Sequence, residues 1–198
     1  MSDGTLLPLH RVRGTVDELS DRALVSALAA GDQAALGALY DRYQRDVHRF
    51  AAHLLRGDHP QVDDIVQGSF LEAHRSARRF RGDASVKTWL FGIAVNLVRH
   101  HVRGEQRREK ASVALAAVPR ARPPSAGELI TLEQQRRWLA AAIDALTPAL
   151  REVYILCVVE ELPGKDAAAA LGIREASLWR RLTDARAALR ATIEELQR

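Results

Sequence analysis

The 198-residue sequence carries one cysteine, Cys157, so no disulfide can form within the chain. It lies in the apolar run VYILCVV, where a small buried hydrophobe is expected rather than a reactive thiol. No apolar stretch approaches the roughly 20 residues that a membrane-spanning helix needs. The opening MSDGTLLPLHRVRG lacks a signal-peptide pattern, and these absences together predict a soluble, cytoplasmic protein. Aromatic residues make up only 5% of the chain, so they supply little of any core. Lysine is nearly missing: only Lys87, Lys110 and Lys165 occur, and the other formally basic side chains are arginine. No metal spacing such as HExxH or CxxC is present, nor a phosphate loop or nucleophile elbow. His100 and His101 would diverge by about 100° on a helix and could not chelate together. His53, His59, Asp63 and Asp64 read as ordinary surface residues. No enzyme activity, cofactor, metal or small-molecule substrate is expected.

What the sequence does contain is helix. Alanine and leucine supply most of the 47% hydrophobic fraction, and both favour helix over strand. Leu24, Val25, Leu28 and Ala29 repeat with helical period and stop at Gly31-Asp32. A second helix is predicted over 33–56, with Leu39, Val47, Phe50 and Leu54 on one side, and a third over 62–77, with Ile65, Val66, Phe70 and Ala73 facing in. In a fourth, Val86, Leu90, Ile93 and Leu97 form the expected buried stripe, widened by Trp89 and Ala94. Its far side is expected to hold Thr88, Val95, Asn96, Arg99 and Arg103. Three of the seven prolines then fall between Pro119 and Pro124, which reads as an extended linker. Helix resumes near Glu128. Thr147-Pro148 reads as an N-cap followed by proline at the first helical position of a helix running to about Glu161. A short helix over 165–171 closes at Gly172, and a last helix spans 175–196. The fold class is therefore all-α: two small helical domains joined by a flexible linker, the second with a helix-turn-helix. The boundaries are a loose tail over 1–17, a first domain over 18–104, a linker over 105–133 and a second domain over 134–198.

The formal net charge of +4 and a pI of about 9.7 are compatible with a polyanionic partner. In the last helix Leu178, Leu182, Ala185, Leu189 and Ile193 form an inward stripe. Opposite it, near the N-terminus, lie Arg180, Thr183, Asp184 and Ala187, with Trp179 on the flank, where a recognition helix would meet base edges. An ordinary bundle helix, with Asp184 paired to Arg180 or Arg181, fits the same pattern. In the first half, Arg75, Arg78, Arg79, Arg81, Arg99, Arg103, Arg107 and Arg108 meet few acidic residues. A basic strip beside Phe80 and Trp89 suits single-stranded or melting DNA, since arginines track phosphates and aromatic faces support unstacked bases. A charged solvent face over a core tryptophan is the alternative.

Several ordered motifs carry a family resemblance over residues 20–197. LVSALAAGDQAALGALYDRY, DDIVQGSFLEAH, RFRGDASVKTWLFGIAVNLVRHHVR, LTPALREVYIL and LGI followed by SLWRRLTDARAAL occur in that order, with a linker between the third and fourth. Together they resemble a bacterial RNA polymerase sigma factor of the small two-domain extracytoplasmic-function group. The resemblance implies that Asp63, Asp64, Gln67 and Phe70 meet the polymerase clamp. It implies that Phe80, Arg81, Asp83, Ser85, Lys87, Thr88, Trp89, Asn96, Arg99, His100 and Arg103 handle the melted minus-ten DNA. The Arg81–Ser85 loop would accept a base turned out of the stack. Arg174, Ser177, Trp179, Arg180, Arg181, Thr183 and Asp184 would read the minus-thirty-five duplex. The implied partners are core RNA polymerase, through its beta-prime clamp and beta flap, promoter DNA and an anti-sigma factor.

Seven positions depart from the family pattern. His100 stands where Asp is common, and Pro163-Gly164 replaces the usual Ser-aromatic helix start. Ala167 and Ala169 thin the first helix of the motif. Trp179 and Asp184 replace common basic residues, which predicts an atypical minus-thirty-five preference or weak duplex binding. The rival functions are a stand-alone helix-turn-helix regulator, which leaves the first half unexplained, and a sigma-like protein that binds polymerase without initiating.

Overall fold

Ser20 opens the first helix by accepting a hydrogen bond at Oγ from the Ala23 amide (3.3 Å). Asp32 does the same for the second, through the Ala34 amide (2.9 Å). The structure, a computed structural model, describes residues 19–57, 60–111 and 131–197. Its α-helices are α1 (Asp21–Ala29), α2 (Gln33–Leu55), α3 (Gln61–Ser76), α4 (Val86–Ala111), α5 (Leu132–Ala145), α6 (Pro148–Tyr154), α7 (Gly164–Leu171) and α8 (Glu175–Leu196). A 3₁₀ turn, Ala77–Arg79, follows α3, and a π-helical stretch, Ile155–Val159, continues α6. No strand occurs among the described residues, and no described helix is long and apolar enough to cross a membrane. The expected tail lies outside the described residues, as does most of the expected linker.

The helices α1 to α4 form one packed group. Leu24, Leu39, Val47, Phe50, Val62, Leu90, Phe91 and Val95 are fully or almost fully buried at its centre. Phe50 and Phe91 stack with centroids 4.2 Å apart and an 18° interplanar angle, which joins α2 to α4. Asp21 ties α1 to α2 by binding both Arg42 and the Tyr43 hydroxyl. The helices α5 to α8 form the second group: Ala142, Leu146, Ala185 and Leu189 make a small cluster of its own, while Val153, Ile155, Leu156, Leu171, Leu178 and Leu182 continue the buried cluster of α1 to α4. The stripe expected on the last helix is buried through Leu189, and Ile193 is half-buried.

Four local readings change. Helix α4 does not stop at 104 but runs to Ala111, because Gln, Arg, Glu and Lys are all good helix formers. The buried stripe of α4 is rotated from the expected one. Thr88, Phe91, Val95 and Val98 are buried while Ile93 and Leu97 are only half-buried, since α2 and α3 both press on this helix. Thr147 stands at the N-cap of α6 but makes no side-chain cap bond; Pro148 occupies the first position as expected. The helix expected to reach Glu161 widens into a π turn, closed by Glu160 N–H donating to the Ile155 carbonyl (2.9 Å).

Arg151 went unremarked in the sequence and is 4% exposed. Its guanidinium donates to the carbonyls of Ile143 (3.1 Å), Asp144 (2.7 Å), Leu146 (2.9 Å) and Leu54 (3.4 Å). It closes the open end of α5 and reaches α2 in the first group. Burial, with Arg56 adding to it, lowers its pKa from the ordinary arginine value. Arg151→Met should lower unfolding free energy by about 2–3 kcal/mol in urea titration, because buried carbonyls lose their donor. The exposed Arg190→Met should stay within about 0.5 kcal/mol of wild type.

Candidate nucleic-acid interface

The loop between α3 and α4 forms because Gly82 takes φ +74°, a left-handed conformation natural to glycine. The Arg22 guanidinium from α1 lies against Gly82, where a β-carbon would collide with it, and donates to the Arg81 carbonyl (3.4 Å). Ser85 ends the loop: its Oγ accepts from the Thr88 amide (3.0 Å) and shares a hydrogen bond with Thr88 Oγ1 (2.8 Å). That is an N-cap made with a serine the sequence reading placed on DNA. Phe80 and Trp89 pack at 4.8 Å between centroids, tilted by 39°.

A cleft of about 370 Å³ opens at this corner. It brings together Phe80, Arg81, Asp83, Thr88, Trp89 and Asn96 of the expected minus-ten set, with Gly82, Gly92 and Ile93. Arg81, Asp83 and Asn96 are exposed, Trp89 is half-buried, and Thr88 is buried at 1% exposure and bonded to Ser85. Ala169 and Ala170 of α7 form the opposite wall. The first helix of the helix-turn-helix therefore stands over the corner that was expected to face open DNA.

The rest of the expected set lies elsewhere. Lys87 turns toward Asp46 and Glu160 (3.4 Å each) and sits 5.4 Å from the Phe91 ring centroid. Arg99 grips Glu152 of α6 through Nε (2.8 Å) and Nη2 (2.6 Å), and that pair raises its pKa above the ordinary arginine value. Both cations, expected on a free face, are thus engaged. Arg99 and Arg103 line a second cleft of about 500 Å³ with Arg56 and Arg151, between the two helix groups. His100 is exposed. Glu152 and Glu160 were missed in the sequence; their signal was a carboxylate at each end of the apolar run VYILCVV.

On the clamp side Asp63, Asp64 and Gln67 are exposed, and Asp63 lies 3.7 Å from His48. Phe70 is buried at 3%, so it offers no contact surface itself. It meets Tyr40 edge-on at 4.9 Å, and Tyr40 is the exposed member of the pair.

On the recognition helix, Arg174, Trp179, Arg180, Thr183 and Asp184 are exposed, and Ser177 and Arg181 are half-buried. Among the described residues neither Arg180 nor Arg181 forms an ion pair with Asp184, which removes the simple charge-pairing account of this face. The Thr183 hydroxyl donates to the Trp179 carbonyl (3.1 Å). Trp179 is 49% exposed, and its indole N–H donates to Glu175 (3.2 Å). Its ring covers Gly164, where a β-carbon would collide with Cζ2 and stand 3.0 Å from Cε2. Two departures from the family pattern are therefore one feature: the glycine at the start of α7 makes room for the tryptophan of α8.

An all-α chain with an aromatic cleft edged by Arg79 and Arg81 at the α3–α4 corner, and a helix-turn-helix beside it, has the architecture of a DNA-binding transcription factor. Known proteins narrow the class. Residues 39–108 match the family model described as Sigma-70 region 2, and residues 136–189 that described as Sigma-70, region 4. The ECF RNA polymerase sigma-E factor of Salmonella typhimurium is 30% identical over 192 residues, 92% of this chain and 98% of that protein. The Escherichia coli K12 sigma-E factor is 29% identical over the same length, with the same coverage. Among solved structures, CnrH in complex with the cytosolic domain of CnrY superposes with a TM-score of 0.62 at 27% identity. It covers 88% of this chain and 97% of that one. The chain belongs to the sigma-70 family of RNA polymerase sigma factors, in its extracytoplasmic-function (ECF) group.

The coupling of Trp179 to Gly164 is measurable. Alanine at a helical position is favoured over glycine by up to about 1 kcal/mol. In a Trp179→Ala background, Gly164→Ala should therefore stabilise the protein by about 0.5–1 kcal/mol in thermal unfolding. With Trp179 in place the same change should be neutral or destabilising, giving a double-mutant coupling of about 1 kcal/mol. Additive effects would show that the two residues are independent.

Proposed function

We propose that this protein directs initiation by core RNA polymerase at promoters with a minus-ten and a minus-thirty-five element. In this reading the first helix group binds the beta-prime clamp through the exposed face bearing Asp63, Asp64, Gln67 and Tyr40. The corner cleft takes a base turned out of the minus-ten strand. Phe80 and Trp89 offer it aromatic surface, Asp83 and Asn96 offer polar partners for its edge, and Arg81 offers charge to the phosphate beside it. The second group meets the beta flap and sets α8 in the major groove of the minus-thirty-five duplex. The observation that carries the reading is the cleft, where the left-handed Gly82 loop and the Phe80–Trp89 pair converge on one side of α4.

The recognition face differs from a plainly basic one. Trp179 has its indole N–H occupied by Glu175, so the exposed remainder is apolar ring suited to sugar and thymine methyl groups. Asp184 would repel a phosphate and suits acceptance from a cytosine N4 amine. An anti-sigma factor is a further partner in this reading; CnrH was itself solved in complex with the cytosolic domain of another protein, CnrY.

Core polymerase plus this protein on a library of random promoters should yield enriched start sites that define both elements. Binding to core without initiation would indicate a non-initiating relative, and failure to bind core would remove the reading. On randomised duplexes, Asp184→Ala should relax preference at one base pair by about 1–3 kcal/mol, with unchanged preference the contrary result.

A further inference from the structure

The loop that rims the minus-ten cleft is fixed at each end by its own neighbours. At its start the Phe80 amide donates to the Ala77 carbonyl (3.1 Å). At its end Ser85 caps α4 through the Thr88 amide (3.0 Å). The apex is Gly82, which has no side chain to pack and takes φ +74°. Glycine has more backbone freedom to lose than any other residue, so it does not hold such a conformation unaided.

What holds the apex comes from another helix. The Arg22 guanidinium of α1 fills the space that a side chain at position 82 would occupy. A β-carbon there would lie 2.7 Å from Arg22 Cζ and 2.9 Å from its Nε. Arg22 Nη2 also donates to the carbonyl of Arg81, the residue that leads into the apex (3.4 Å). Helix α1 is itself fastened at both ends. Asp21, next to Arg22, binds Arg42 and Tyr43 of α2. Ala29, its last residue, accepts at its carbonyl from Arg78 Nε (3.1 Å). A short helix held at two points thus presents one planar cation to the loop. Arg22 lines no part of the cleft, so it stands behind the loop. It also lies outside residues 39–108, the segment matched to Sigma-70 region 2.

We propose that Arg22 is a positioning residue for base capture: by bracing Gly82 from behind, it holds the Arg81–Ser85 loop in the shape that receives the turned-out base. The capture role rests on the promoter reading above; the brace does not. The base itself meets the cleft residues, and Arg22 acts on it only through the loop. A loop held in shape beforehand does not have to be ordered at the moment of binding. Without the brace, apparent affinity falls by the fraction of chains whose loop has the receiving shape.

The test compares wild type with Arg22→Met, Arg22→Lys and a control on α8, Arg190→Met. Methionine keeps the stem of the side chain and loses its planar head. Lysine keeps the charge but not the fork that lies on the glycine. Amide hydrogen exchange on the full free chain reads the brace. Capture is read with holoenzyme, assembled with core polymerase and titrated with a forked fragment. The fragment carries only the minus-ten element that the random-promoter selection defines, with one strand single. Both Arg22 variants should speed exchange over residues 81–84 by about tenfold and leave α2 to α4 unchanged. Both should bind the fork about tenfold more weakly, as expected for a loop in the receiving shape about one-tenth of the time. Affinity for core should equal wild type. The slope of log affinity against log salt should also stay the same, since loss of a phosphate contact would lower it by about one. Arg190→Met should match wild type throughout. Unchanged exchange would overturn the brace, and faster exchange with unchanged fork affinity would overturn the capture role. Full rescue by lysine, or a shallower salt slope, would make Arg22 a phosphate contact instead of a positioning residue. Should wild-type holoenzyme not prefer the fork to duplex, the promoter reading falls and the capture role with it, while exchange still decides the brace.

Discussion

The two halves of this molecule depend on one shared buried cluster, which runs from α1–α4 into Val153, Ile155, Leu156, Leu171, Leu178 and Leu182 of the second group. A smaller cluster, Ala142, Leu146, Ala185 and Leu189, belongs to the second group alone. Where α7 meets α4, Gly92 faces Ala170 and neither helix carries bulk. A β-carbon at Gly92 would stand 3.2 Å from the Ala170 carbonyl oxygen, so α7 would have to give by a few tenths of an ångström.

The charges have a different character from the core. Glu160 is sequestered while Arg49 remains half-exposed, and Glu152 is more buried than Arg99. The carboxylates have lost more water than the cations that hold them. An ion pair of this kind is held by what surrounds it, since the acid would be poorly solvated without a cation nearby. Arg151 shows the same economy with backbone instead of carboxylate: one buried guanidinium serves the open end of α5 and a carbonyl of α2. Arginine suits both tasks because its planar fork makes several directed bonds at once.

In the helix-turn-helix, departures from the family pattern compensate one another locally. Gly164 weakens the start of α7, and Pro163 supplies no side-chain cap. Trp179 covers the gap and is tethered by Glu175. The result is a motif with less charge and more apolar surface at the turn than arginine or lysine would provide. This changes what the recognition helix offers to DNA without changing how the motif folds.

The sequence by itself determined the helices, the order of the motifs and the family. Periodicity, caps and glycine stops act within a few residues, and such local rules are legible in one dimension. Asp32, Gly82, Gly172 and the stripe from Leu178 to Leu189 are all of this kind. It did not determine which face of α4 is buried, because Val95 and Thr88 are covered by the combined pressure of neighbouring helices. Nor did it show that Arg99 and Lys87 meet Glu152 and Glu160, residues 53 and 73 positions away in the chain. A charge on a helix wheel reads as a solvent or ligand face until its partner is placed in space. Only the tertiary structure brought α7 over the cleft, because the fit of a glycine to an alanine run is a property of two surfaces together.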